Sequence, residues 1–224
     1  MVPRELLATA QIPGGDGELR LFRRGSDFMI VLDRNELMSS RMSGSEEALA
    51  EMTIERLRER SAPRLLIGGY GMGFTLRAAL AALPGDAKVT VAELVSEIID
   101  WARGPMAAMT GNCLDDNRLF VEIADVGVLI GEAEVYYDAI LLDVDNGPDG
   151  LTRKGNNGLY SRKGLAAAKA ALKPGGILAI WSAAPDAKFK QALSDAGFMV
   201  DEVAVRARQN GKGAKHVIWF AAKR

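Results

Sequence analysis

Residues 64–80, RLLIGGYGMGFTLRAAL, decide how this chain is read. Leu65–Ile67 is a short apolar run of the kind that forms a buried strand; glycines at 68, 69, 71 and 73 then interrupt it, and FTLRAAL resumes with helical spacing. A glycine-rich junction between strand and helix lets backbone N–H groups approach a ligand, and the helix N-terminus adds partial positive charge. A plain tight turn has the same local composition, so the flanking sequence has to carry the distinction.

Downstream, KVTVAELV, SEIIDWARGPMAAM, LFVEIADV, YDAILLDV, GLAAAKAALK, GGILAIWSA and DAKFKQALSDAG alternate strand-like runs with helical stretches. That alternation predicts βαβ units and a parallel sheet. FMVDEVAVRA and HVIWFAAK, separated by QNGKGAK, read as an antiparallel hairpin closing it. Upstream, Gly/Asp turn signals separate Glu18–Arg23 from Asp27–Leu32, a small β-hairpin, and Ser43–Arg60 carries the spacing of an amphipathic helix. The expectation is an α/β protein with a Rossmann-like, mostly parallel sheet at residues 43–224 and an N-terminal β-hairpin module at 1–42.

The bulk properties suit such a chain. Its 224 residues are 48% hydrophobic and 25% charged, with 28 Lys+Arg against 29 Asp+Glu. A net charge of −1 provides no global field for nucleic acid or an anionic membrane, so neither is expected as a partner. One cysteine, Cys113, and one histidine, His216, cannot make an internal disulfide or a Cys/His zinc cage. With no signal-peptide-like or membrane-spanning apolar stretch, the expected setting is cytoplasmic.

Four acids fall where a parallel sheet presents ligands, at the carboxyl ends of strands. Glu93, 20 residues beyond Gly73, has the spacing of an acid that accepts hydrogen bonds from ribose hydroxyls, although a lone strand-end Glu is more often solvated. Asp125 follows the next strand and suits either an adenine amine or a turn cap. Asp143 ends the apolar run AILL and should face the crevice; Asp145 would share its side of an extended chain, or cap the Asn146–Pro148 turn. The Gly-rich stretch from Asn146 to Tyr160 suits a gate or a plain connection. His216 opens a strand and reads as a packed or edge residue rather than a general base.

In order, the hairpin, the helix, GGYGMG, AELVSEIIDWARGPM, IADV, YDAILLDVDNGPDG, LYSRKGLAAAKAALKPGGILAIWSA and the closing hairpin resemble the spermidine synthase family of class I AdoMet-fold transferases. The resemblance implies a class I methyltransferase-type sheet. It also implies that Gly68, Gly69, Gly71, Gly73 and Glu93 hold the methionine and ribose parts of the nucleotide, that Asp125 meets adenine, and that Asp143 is catalytic. Two departures stand out. The family's GGGDGG has its Asp, which faces the amine end of decarboxylated AdoMet, replaced by Gly71, and loss of that charge removes a penalty of about 1 kcal/mol or more on a carboxylate. The family's Tyr-His pair and Asp-x-x-Asp are also incomplete, since the helix reads SGSEEALAEM and only Val144 separates Asp143 from Asp145.

From these departures the expected activity is methyl transfer from AdoMet to a small-molecule acceptor, with Asp143 and Asp145 as catalytic candidates. The alternatives are aminopropyl transfer from decarboxylated AdoMet, with Glu46, Glu47 and Asp145 meeting the diamine, and a nucleotide-binding member without turnover. An NAD enzyme fits GGYGMG and the closing hairpin less well. The exposed edge of an N-terminal hairpin would suit a homodimer.

Overall fold

In the computed structural model, residues 3–15, 17–144 and 157–224 are described. The apolar run at 64–68 forms an interior strand of a seven-stranded sheet, because Leu65, Leu66 and Ile67 have helices packed on both faces and are fully buried. The strands are β5 (Arg64–Gly68), β6 (Lys88–Glu93), β7 (Leu119–Ile123), β8 (Tyr137–Leu142), β9 (Leu172–Ser182), β10 (Phe198–Arg206) and β11 (Lys215–Lys223). Their order is β10-β11-β9-β8-β5-β6-β7, parallel from β9 to β7, with β11 antiparallel to both β9 and β10. The chain winds from β5 outward through β6 and β7, then returns to β8 on the other side of β5. That reversal opens a crevice at the carboxyl ends of β5 and β8.

Side chains alternate between two cores. One contains Leu65, Ile67, Ala139, Leu141, Ala179, Trp181 and Ile218, covered by α1 (Gly44–Arg56), α2 (Phe74–Ala82) and α3 (Ser96–Arg103). The other contains Leu66, Ile140, Leu142, Leu178, Ile180 and Trp219, covered by α5 (Val126–Glu132), α7 (Arg162–Ala171) and α8 (Ala187–Asp195). A short α4 (Ala107–Thr110) follows α3, and α6 (Asn157–Tyr160) precedes α7.

The far end of the sheet is pinned by charge. Asp138, 2% exposed, accepts from Lys173 Nζ at 2.6 Å and from the backbone N–H of Arg64 at 2.8 Å, with Arg60 at 3.5 Å. A buried carboxylate held by two cations and an N–H is compensated rather than strained.

The N-terminal segment is larger than the expected hairpin. It is a four-stranded antiparallel sheet of β1 (Glu5–Gln11), β2 (Glu18–Arg24), β3 (Asp27–Leu32) and β4 (Asn35–Ser39), in sequential order. Leu19, Leu21, Phe28 and Ile30 join it to the first core, and this sheet roofs the crevice. Among the described residues no helix is long and apolar enough to cross a membrane.

Candidate functional site

The crevice becomes a pocket where the Gly loop, the carboxyl ends of β6 and β8, and the inner face of the N-terminal sheet converge. Gly69 and Gly71 line its floor, and Glu93, Asp125 and Asp143 its sides. Ile12, Leu19 and Leu37 supply an apolar roof. Gly69 has φ +86, and a Cβ there would lie 2.7 Å from the carbonyl oxygen of Asp143, so the loop can run this close to β8 only without a side chain. At Gly71, φ is +55 and a Cβ would meet Met38 Sδ at 2.5 Å. The thioether of Met38, from β4, thus lies over the position where the resemblance expects an Asp.

Glu93 is buried and held by backbone alone. Its Oε2 accepts from Tyr70 N at 2.8 Å and its Oε1 from Val95 N at 2.9 Å. Burial pushes its carboxyl up, while the N–H groups of Val95, Tyr70, Gly71 and Leu94 pull it back. An ionised carboxylate offers about four lone-pair sites, so each oxygen can still accept from a ligand hydroxyl.

Asp125 takes up the capping role that its sequence allowed. It is the N-cap of α5, with Oδ1 accepting from Gly127 N at 2.8 Å, and it also lines the pocket.

Asp143 follows β8 directly and lies against the first turn of α2, where Thr75 Oγ1 donates to its Oδ2 at 2.6 Å. Burial pushes its carboxyl up to about 6. Beside it is Glu46 of α1, pushed up to about 7 by burial first and the Asp143 charge second. Glu47 instead accepts from Gln209 in the β10–β11 turn. Asp145 and the stretch 146–156 lie outside the described residues.

Sequence reasoning did not single out Thr75, Ser45 and Met38 as neighbours of this pocket, and it read His216 as a packed or edge residue, which the Trp181 ring beside it matches. The strand carrying His216 lies inside the sheet, between β9 and β10, and His216 Nδ1 is 2.9 Å from Ser45 Oγ. Small hydroxyl residues at a helix start are too common to signal a site, which leaves only the fold to bring these groups together. Among the described residues no group of three His, Cys, Asp or Glu is placed to hold a metal ion.

This sheet order, with its antiparallel closing hairpin and its pocket at the Gly loop, is the fold of the class I AdoMet-dependent transferases. Within that class the chain matches the Spermine/spermidine synthase domain over residues 44–196 and belongs to that family. It is 31% identical to a polyamine aminopropyltransferase of Nitrosomonas europaea over 54% of this chain and 35% of that protein. To the polyamine aminopropyltransferase of Mycobacterium tuberculosis it is 27% identical over 75% of this chain and 31% of that one. These matches span about a third of the length of the curated relatives. The solved spermidine synthase of Thermotoga maritima superposes with a TM-score of 0.76 at 19% identity, over 98% of this chain and 72% of that one.

Proposed function

We propose that the chain transfers an aminopropyl group from decarboxylated AdoMet to a small amine. The observation that carries this reading is the charge of the pocket. Among the described residues its ionisable lining is Glu93, Asp125 and Asp143, with no lysine or arginine. Decarboxylated AdoMet brings a sulfonium and an ammonium to that lining, whereas intact AdoMet also brings a carboxylate. At 4 Å a unit charge pair is worth about 1 kcal/mol in water and about 4 kcal/mol at an effective dielectric of 20, so like charges here cost a tenfold or more in affinity.

Methyl transfer from intact AdoMet, expected from the loss of the loop Asp at Gly71, gains no support. The vacated space holds the apolar Met38 thioether, so the substitution creates no cationic cradle for a carboxylate. The aminopropyltransferase names of the curated relatives favour the same donor.

In this reading the Gly69–Gly73 backbone and Glu93 fix the nucleoside, Asp125 meets the adenine side, and Ile12, Leu19 and Leu37 exclude water from the reacting atoms. The sulfonium supplies the electrophile. Asp143 orients the acceptor and takes its proton, and a carboxyl held at about 6 is a better base at neutral pH than an ordinary Asp.

Calorimetry with both donors tests the reading, followed by mass spectrometry of product with short diamines. The expected result is tighter binding of decarboxylated AdoMet by at least about tenfold. Gly71→Asp combined with Met38→Ala, which clears the space an Asp needs, should widen that preference. Equal or tighter binding of intact AdoMet would overturn the proposal.

A further inference from the structure

Behind Asp143, on the face of the sheet covered by α1, lies a row of polar groups that donor binding does not use. Ser45, fully buried, has its hydroxyl 2.6 Å from Glu46 Oε2 and 2.9 Å from His216 Nδ1. Thr75 Oγ1 donates to Asp143 Oδ2 at 2.6 Å and lies 3.3 Å from the main-chain carbonyl oxygen of Glu46, which sets Asp143 alongside the start of the row. The Trp181 ring packs edge-on against the imidazole at 4.7 Å and holds its orientation. His216 itself is only partly buried, which places the end of the row at solvent.

A serine hydroxyl has one proton to give and two lone pairs. Between a carboxyl and an imidazole nitrogen it therefore has two complete arrangements. In one, protonated Glu46 donates to Ser45, and Ser45 donates to His216 Nδ1. In the other, His216 donates from Nδ1 to Ser45, and Ser45 donates to ionised Glu46. The two differ by one proton moved from Glu46 to the imidazole.

Resting on the transferase reading, we propose that Asp143, Glu46, Ser45 and His216 form a proton relay that carries the acceptor's proton from the pocket to solvent. The amine nitrogen forms its bond to carbon as the carbon–sulfur bond breaks, and that electron pair stays on sulfur. The ammonium proton passes to Asp143, then to Glu46, then through Ser45 to Nδ1, while the proton on Nε2 leaves to water. Glu46 and Ser45 are positioning residues that act through Asp143. The charged groups around Glu46 are Asp143 from the end of β8 and Glu47 on its own helix. Burial raises the two carboxyls and lowers the imidazole, which narrows the usual gap in proton affinity between acid and imidazole.

His216 is the single histidine of the chain, so its imidazole can be followed alone by nitrogen-15 NMR. Its titration should carry a second inflection from Glu46 that disappears in both Glu46→Gln and Ser45→Ala. Glu46→Gln keeps the shape of the side chain and guards against a packing defect in Ser45→Ala. Identical curves in all three proteins would overturn the relay. In turnover, His216→Gln should lower kcat several-fold with little change in KM for the amine, and added imidazole should restore part of the rate. An unchanged kcat across the pH range would also overturn it. Absence of turnover in the wild type with every amine sinks the transferase reading instead, and the NMR curves decide the coupling without any reaction.

Discussion

The Glu93 side and the Asp143 side of the pocket both rest on carboxyls withdrawn from water, fully at Glu93 and partly at Asp143 and Glu46, but they hold them by opposite means. Glu93 is fixed by main-chain N–H groups of its own neighbourhood and of the Gly loop. Asp143 and Glu46 are held by hydroxyls of Thr75 and Ser45 and lie beside each other. Backbone donors hold the charged form of Glu93 in place. Two neighbouring acids that raise one another's proton affinity favour sharing a proton. The first arrangement suits holding a ligand and the second suits moving a proton.

The largest effect that would break this division is expected at Asp143. Asp143→Asn should lower turnover by about 10²–10⁴ while donor affinity measured by calorimetry changes little. An equal loss of affinity would put Asp143 in the same holding role as Glu93. Next comes Glu93→Gln, which sets an amide NH₂ against a backbone N–H that now has an acceptor. The cost should be about 1–3 kcal/mol, read as weaker donor binding and lower resistance to urea, and no change in either would mean those N–H groups have other partners.

The smallest effect concerns stability. Glu46 rises from 4.5 to about 7 and Asp143 from 3.8 to about 6, so the folded chain keeps protons that the unfolded chain has lost. Stability therefore falls as pH rises from the unfolded values through the folded ones, and it is greatest at the acidic end of that window. Glu46→Gln should flatten this fall by on the order of 1 kcal/mol, seen by comparing melting at about pH 5 and about pH 8. An undiminished fall would mean that Glu46 ionises as it would in water.

The same division explains what the sequence made legible. The Gly loop, Glu93 and the parallel sheet are local signals: a run, a turn and a spacing that follow from backbone geometry. Asp143 stood out because it ends the fully buried strand YDAILL. By contrast, Ser45 and His216 are 171 residues apart, and nothing in SGSEEALAEM or AKHVIWF announces that they meet. β1 and β4 were missed because ELLATAQ and NELMS have mixed patterns whose burial is decided by the sheets they join. With them went the Met38 contact at Gly71, which fills the space left by the missing loop Asp.

The place of β11 between β9 and β10 has a consequence for the order in which the molecule comes into being. At about 5–20 residues per second, roughly ten to thirty seconds separate the synthesis of Ser45 from that of His216. Until β11 slots in, β9 presents an unpaired edge and Trp181 has no imidazole against it. A nascent chain can thus complete the crevice at the Gly loop well before His216 meets Ser45, and the two halves of the candidate site assemble at different times.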